Sequence, residues 1–175
     1  MKKIIFFMGS ALLVLTACNS NSTSSTKAAS DSSKMASNVD MKQKMEESNK
    51  QKAIASVQAF SNHDAEGAFK DATINSVEYG DGSMTPVSNL DSAKAGAAMF
   101  LKSFPDIKAE NILALADGDR VAVFADWSCT FKNDLNGMKA TGKTTKFHDC
   151  DLFKFNDSGK IVEHRSVQNM SVLFK

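Results

Sequence analysis

The sequence predicts one α+β domain behind an N-terminal export signal, with helices packed on a curved antiparallel sheet. Helical patterns come first along the domain, and a run of alternating strand patterns follows them. The chain has 175 residues, of which 42% are hydrophobic and 12 are Phe, which is enough for one core. Its net charge of +1 offers no basic field for phosphates, so we expect no nucleic-acid partner.

The N-terminus has the pattern of a signal peptide. Lys2 and Lys3 precede a nearly apolar run over residues 4–17, which is shorter than the roughly 20 residues that a membrane-spanning helix needs. The run ends in Leu15-Thr16-Ala17-Cys18, which resembles the lipobox of bacterial lipoproteins. A plain secretory peptide with an incidental cysteine is the alternative. We therefore predict a lipoprotein signal peptide over residues 1–17.

The lipobox resemblance implies that Cys18 becomes the first residue of the mature chain and carries acyl chains such as palmitate. Several acyl chains on one residue would hold the protein to a lipid bilayer. The expected location is the bacterial cell envelope: the outer membrane in a diderm, or the outer leaflet of the plasma membrane in a monoderm. Residues 19–40 are rich in Ser, with few large apolar side chains, so lipidated Cys18 and a disordered tether are predicted over 18–40.

The folded domain is predicted over residues 41–175 and starts with three helices. Apolar residues at near-helical spacing indicate a first helix over 41–62. Asp64 can cap a short second helix that runs to Lys70. Asp91 can cap an Ala-rich third helix, which must end near Phe104 because Pro105 disfavours helical backbone in the residue before it.

The rest of the domain is predicted to form strands. Alternating patterns, bounded by turns such as Asp117-Gly118-Asp119 and Asp157-Ser158-Gly159, indicate the sheet. The predicted strands cover residues 73–79, 107–116, 121–131, 141–155 and 160–173.

The ordered set of motifs in this domain points to a family. After the first helix come SNHDAEGAFKD, FPDI, DGDRVAVFADWSC, GMKATGK and DLFKFNDSGKIVEHR. Over about residues 50–167 this order resembles SnoaL-like proteins, the polyketide cyclase branch of the nuclear transport factor 2-like superfamily. The resemblance implies a cone-shaped α+β fold that encloses a pocket, and a homodimer formed through the outer face of the sheet.

The resemblance also locates the position at which the family's chemistry takes place. In SnoaL-like cyclases, an aspartate that follows a His-Arg pair in the last strand is the acid/base of an aldol closure. Here the pair is His164-Arg165 and the next residue is Ser166. A serine hydroxyl has no useful proton affinity at neutral pH without a base, so we expect the chain not to be an enzyme of that kind. Asn75 corresponds to a polar pocket residue of these cyclases.

Two aspartates on the fourth strand are candidate replacements for the missing acid. Asp149 and Asp151 share a strand face with Phe147, and the resemblance implies that this face looks into the pocket. Carboxylates two residues apart lie within about 7 Å, so burial and repulsion would raise the pKa of at least one of them. They are predicted as catalytic acid/base candidates, unless they lie at a wet pocket mouth or point outward.

A cavity in this fold would be mostly apolar, with a few polar groups. Many of the aromatic residues would be core residues in any fold. The predicted ligand-binding residues are Asn75, Tyr79, Phe104, Trp127, Phe147, His164, Ser166 and Gln168.

No cofactor and no metal site are predicted. His148 and Cys150 alternate with the two aspartates and lack the ligand spacing of a zinc site. If Lys132 pairs with Ala140, Cys129 lies opposite Lys143, too far from Cys150 for a disulfide. Two free, mostly buried thiols are expected.

Three functions remain open on the sequence. The first is a membrane-anchored protein that binds an unknown, small, largely apolar molecule in its pocket without catalysis. The second is an ester cyclase or isomerase that uses Asp149 or Asp151 as acid/base. The third is a protein–protein interaction module. An open cavity would favour the first two, and a pocket filled by its own side chains would favour the third.

Overall fold

The structure is a computed structural model that describes residues 25–80 and 82–174. The predicted signal peptide and Cys18 lie outside the described residues. The chain divides into two units, one up to Ser37 and one from Asn38 onwards. Helix α1 (Ser25–Ser61) begins earlier than residue 41, inside the segment predicted as a tether. Within the described ranges, no helix is long and apolar enough to cross a bilayer.

The second unit has the α+β order that the sequence predicts. After α1 come a short helix, a strand, a longer helix and four further strands. A 3-10 helix, η1 (Met170–Phe174), closes the chain, so the last strand is shorter than the predicted 160–173. The elements between α1 and η1 are α2 (Ala65–Ala68), β1 (Ala72–Tyr79), α3 (Leu90–Ser103), β2 (Lys108–Asp117), β3 (Arg120–Thr130), β4 (Thr144–Phe155) and β5 (Ile161–Ser166).

The five strands form one sheet in the order β1-β5-β4-β3-β2. The β2–β3, β3–β4 and β4–β5 pairs are antiparallel, but β1 runs parallel to β5, so the sheet is mixed rather than antiparallel throughout. β1 reaches β5 through the helices and hairpins between them, and such a connection can return a strand in either direction. The α+β fold class is confirmed, with this one correction to the strand directions.

Side-chain caps fix two of the helix starts. The Asp64 carboxylate accepts a hydrogen bond of 2.8 Å from the Gly67 amide, as predicted for α2. For α3 the cap is Asn89 rather than Asp91, and its Oδ1 accepts from the Ser92 amide at 2.9 Å.

The core lies between α1, α3 and one face of the sheet. Ala53 and Val57 of α1 are buried against Val121 and Val123 of β3 within one apolar cluster. At one end of the domain, four rings pack at centroid distances of 4.6–6.0 Å. These rings belong to Phe100, Phe104, Phe131 and Phe174.

Candidate functional site

A cavity of about 720 Å³ lies between the inner face of the sheet and the helices. This volume is within the range of small-molecule sites, about 300–1,000 Å³. Its walls are mainly apolar and include Phe60, Phe100, Trp127, Phe147 and Phe153.

Helix α3 leaves room for this cavity because its inner face carries small side chains. Ala93, Gly96 and Ala97 line the cavity, and their spacing puts them on one helix face. A Cβ atom added at Gly96 would meet nothing within 4 Å. The Ala-rich composition of this helix therefore creates open space where larger residues would fill the core.

The titratable side chains of the cavity lie on β1, β4 and β5. The His164 imidazole lies between two carboxylates: its Nδ1 is 2.6 Å from Glu78 Oε1, and its Nε2 is 3.0 Å from Asp151 Oδ1. The parallel pairing of β1 with β5 puts Glu78 directly beside His164. The His164 ring also packs on Phe153, with 4.6 Å between ring centroids. Both imidazole nitrogens are therefore engaged.

A second group on the same wall centres on Asp149, which is 7% exposed. The Ser166 hydroxyl donates to Asp149 Oδ2 at 2.7 Å. Asp149 Oδ1 accepts from the backbone amides of Cys150 and Gln168, at 2.7 and 2.9 Å. The Ser166 hydroxyl thus serves as a donor to a neighbouring carboxylate.

Two buried polar atoms of the cavity-lining residues have no hydrogen-bond partner within residues 25–80 and 82–174. They are Trp127 Nε1 and Asp151 Oδ2. Asp151 is 6% exposed and Trp127 is 7% exposed. Leaving a buried polar group unpaired costs about 1–3 kcal/mol, so a molecule that supplied partners here would recover free energy.

Burial and charge have opposite effects on the two titratable groups at the centre of this wall. Burial raises the pKa of Asp151 above 3.8, and the bond to His164 only partly offsets that effect. Burial by itself would lower the pKa of His164, but attraction to Glu78 and the bonds to Glu78 and Asp151 raise it well above 6.5. The contacts at both ring nitrogens and the raised pKa favour the imidazolium form of His164, and burial favours the protonated form of Asp151.

Six of the predicted site residues are brought together by the fold. Phe147, Asp149 and Asp151 share one face of β4, as alternation predicted, and this face lines the cavity, as the family resemblance implied. The residues that line it are Trp127, Phe147, Asp149, Asp151, His164 and Ser166.

Four predicted residues lie outside the cavity lining. Asn75, predicted from its correspondence to a polar pocket residue of the cyclases, is exposed, and the buried Ser76 lines the cavity instead. Both residues lie where the pairing of β1 with β5 has a register irregularity, between Ala72 and Val77. The Tyr79 ring is on the outer side, where the Arg165 guanidinium lies 4.1 Å from its centroid. Phe104 is fully buried in the ring cluster, and Gln168 contributes its backbone amide to Asp149.

Glu78 is the functional-site residue that the sequence did not reveal. The sequence shows Glu78 two residues after Ser76, which is a signal of a shared strand face. Its contact with His164 depends on the parallel β1–β5 pairing, which joins residues 86 positions apart in the chain.

The two cysteines of the domain are free thiols, as predicted. The predicted β3–β4 register was wrong, because Cys129 pairs with Thr145 rather than with Lys143. Cys150 pairs with Phe124. Burial raises the pKa of Cys129 to about 11. His148 lies on the outer face and contacts Asp126 at 2.6 Å, and no group of metal-ligating side chains occurs in the part of the chain that the structure describes.

A cavity between helices and a mixed sheet, with its titratable groups on β1, β4 and β5, defines a pocket-bearing α+β protein of the nuclear transport factor 2-like type. The profile of the SnoaL-like polyketide cyclase family matches residues 51–175. The chain belongs to this family, which confirms the family predicted from the motifs.

Solved structures agree with this assignment. AclR of Streptomyces galilaeus, a proposed hydroxylase, is 30% identical with a TM-score of 0.61, and the match covers 71% of this chain and 91% of AclR. A proposed polyketide cyclase of Xanthomonas campestris is 14% identical, with a TM-score of 0.66 and coverages of 74% and 96%. A proposed SnoaL-like cyclase of Jannaschia is 19% identical, with a TM-score of 0.65 and coverages of 74% and 90%. No curated protein matches the chain.

Proposed function

We propose that this chain binds a small, largely apolar molecule in the cavity and does not act on it chemically. The observation that carries this proposal is an open, mainly apolar space of about 720 Å³ next to a buried Asp151 oxygen without a partner. The space is not filled by the domain's own side chains, which was the condition that favoured an interaction module.

The hydrogen-bond pattern supports binding rather than catalysis. His164 is held at both ring nitrogens, so neither nitrogen is free to take a proton from a ligand. The Ser166 hydroxyl donates a hydrogen bond to Asp149, and that carboxylate accepts three hydrogen bonds from the protein in total. In SnoaL-like cyclases the acid/base belongs at the Ser166 position, where this chain has only a hydroxyl.

We further propose that the binding domain is held to a bilayer through acyl chains on Cys18. The support is the Leu15-Thr16-Ala17-Cys18 motif after an apolar run with a basic start. A cavity protein on a tether would collect or present its ligand close to the membrane surface.

Binding is testable with the fluorescence of Trp127, the single Trp of the chain and part of the cavity wall. Titration of the full chain with 1-octanol should change this fluorescence and saturate. Gly96→Phe should abolish the fluorescence change, because the new ring would project from α3 into the cavity and occupy the space that the ligand needs. Gly96→Ala is the matched control and should bind. The absence of saturable binding to the wild-type chain would overturn the proposal.

An acid/base enzyme is a second candidate, because Asp151 has a raised pKa and an unpartnered oxygen. Such a carboxyl could move a proton next to a carbonyl group. The enzyme candidate predicts that the wild-type chain speeds deuterium exchange at the α-carbons of 2-octanone in D2O and that Asp151→Asn does not. Equal exchange rates for the two chains and for buffer would exclude this candidate for such ketones.

A further inference from the structure

The charges on the cavity wall are unbalanced. Three carboxylates line the cavity, those of Glu78, Asp149 and Asp151, against the single imidazole of His164. Among the described residues, no Lys or Arg side chain lines it. With His164 protonated and the three acids ionised, this wall would have a formal charge of −2, and besides burial, repulsion from Asp149 and Glu78 is one of the causes that raise the pKa of Asp151.

The one cation on this wall is already used within the protein. His164 contacts Glu78 through Nδ1 and Asp151 through Nε2. Asp149 is satisfied by a hydroxyl and two backbone amides, which are neutral donors. Two buried atoms of the lining remain without a partner among the described residues: Asp151 Oδ2, which needs a donor, and Trp127 Nε1, which needs an acceptor. Only the first is a charged group when it is ionised.

The rest of the cavity suits a cation with an apolar body. Aromatic rings form much of the wall, and the Phe60 and Trp127 rings pack edge to face with 6.1 Å between their centroids. The faces of aromatic rings attract cations, more strongly when water is excluded. An ammonium group also carries three donors and no acceptor, which matches an unpaired carboxylate oxygen.

We propose that the cavity selects an apolar amine, bound as an ammonium ion whose N–H donates to Asp151 Oδ2. This inference rests on the proposed binding function and adds the ligand's chemical class. An ammonium would bring the charge of the wall from −2 to −1. A carboxylate or phosphate would add negative charge to a wall that has no free cation, so anions of the same size are excluded.

Three probes with the same alkyl chain separate these possibilities: octylamine, 1-octanol and octanoate. Each is titrated at pH 7.5 into the full chain, with Trp127 fluorescence and calorimetry as readouts. We expect octylamine to bind at least about tenfold more tightly than 1-octanol, a difference of about 1.4 kcal/mol. Octanoate should give no saturation where 1-octanol saturates.

Variants test the role of the carboxylate. Asp151→Asn keeps the size of the side chain but removes its charge, so the preference for octylamine over 1-octanol should disappear. Asp126→Asn, on the outer face beside His148, is the matched control and should keep the preference. The comparison of the three probes uses only the wild-type chain, so it tests the inference even if a variant fails to fold.

The outcomes separate the two proposals. If 1-octanol binds and octylamine binds no better, or if octanoate binds as well as octylamine, the amine inference is wrong and the binding function stands. If none of the three probes binds, the proposed binding function fails together with the inference.

Discussion

At the residue scale, the central feature is an imidazolium held between two carboxylates. Removing one partner of a buried ion pair is costly because the remaining charges lose their compensation. His164 is about one-quarter exposed, with a side-chain exposure of 24%, so the cost should lie near the low end of the range for buried pairs. The site is therefore a stability element as well as a wall of the cavity.

This arrangement predicts how stability depends on pH. The folded-state pKa of His164 lies well above 6.5, so its contribution is full below pH 6.5 and is lost as pH rises through the folded value. The titratable groups that face it are Glu78 and Asp151, with Asp149 on the same wall. Asp151 has a raised pKa, so its own contribution also falls as pH rises.

The measurement is urea unfolding of the wild-type chain and His164→Gln from pH 6.5 to 9. We expect the variant to be less stable by about 3 kcal/mol at pH 6.5, and the gap to narrow as pH rises. His148→Gln, on the exposed outer face, is the control and should follow the wild type. If the difference in the free energy of unfolding between the two chains stayed constant or grew across this range, it would contradict a protonated His164.

Part of this site was predictable from the sequence, and the rest was not, for physical reasons. Alternation along β4 predicts that Asp149 and Asp151 share the inner face, because side chains on a strand have a period of two. The partner Glu78 depends on β1 lying parallel to β5, which no local pattern encodes. Ser76 rather than the predicted Asn75 lines the cavity, at a point where β1 has a register irregularity that local sequence does not indicate.

At the element scale, helix α3 leaves the cavity open because several small side chains lie on its inner face. Its order and type were predictable from Ala-rich periodicity and from Pro105 after its end. Its cap was not, because Asn89 and Asp91 are both good capping residues and only the backbone decides between them. The cavity depends on Ala93, Gly96 and Ala97 remaining small.

Gly96 provides a test of this reading of α3. Gly96→Ala adds a methyl group that meets nothing within 4 Å and improves helix propensity. We expect an increase of about 1 kcal/mol in the free energy of unfolding, measured by urea denaturation, with 1-octanol affinity unchanged. A decrease in stability would show that the space beside Gly96 is smaller than the structure indicates.

At the scale of the whole molecule, the outer face of the sheet carries a group of exposed apolar side chains. Leu113 pairs with Phe124, which pairs with Cys150, so these side chains form a continuous row. Leu113 and Phe124 are 57% and 43% exposed, and Leu152 on β4 is 39% exposed. An apolar surface of this kind is typical of an interface, and we propose that two copies of the chain associate through it.

The dimer proposal predicts that Phe124→Glu makes the chain monomeric in sedimentation equilibrium, because a charge would be buried at the centre of the interface. Val167→Glu, which also replaces an exposed apolar residue but lies beyond β5, is the control and should leave the dimer intact. A wild-type chain that is monomeric at every concentration would contradict the proposal.

The anchoring proposal also belongs to this scale. Cys18→Ser removes the thiol that the lipobox resemblance marks for acylation. We expect the wild-type chain to fractionate with membranes and to incorporate a labelled palmitate, and the variant to do neither. Membrane association of the variant equal to that of the wild type would show that Cys18 is not the anchor.

Our central proposal is that the cavity is a ligand site whose polar end is Asp151. The most direct test is a crystal structure of the full chain grown with octylamine. The account predicts the alkyl chain in the cavity among the rings of Trp127 and Phe147, with the nitrogen within hydrogen-bonding distance of Asp151 Oδ2. A cavity without ligand at saturating octylamine, or a nitrogen that points away from Asp151, would contradict it.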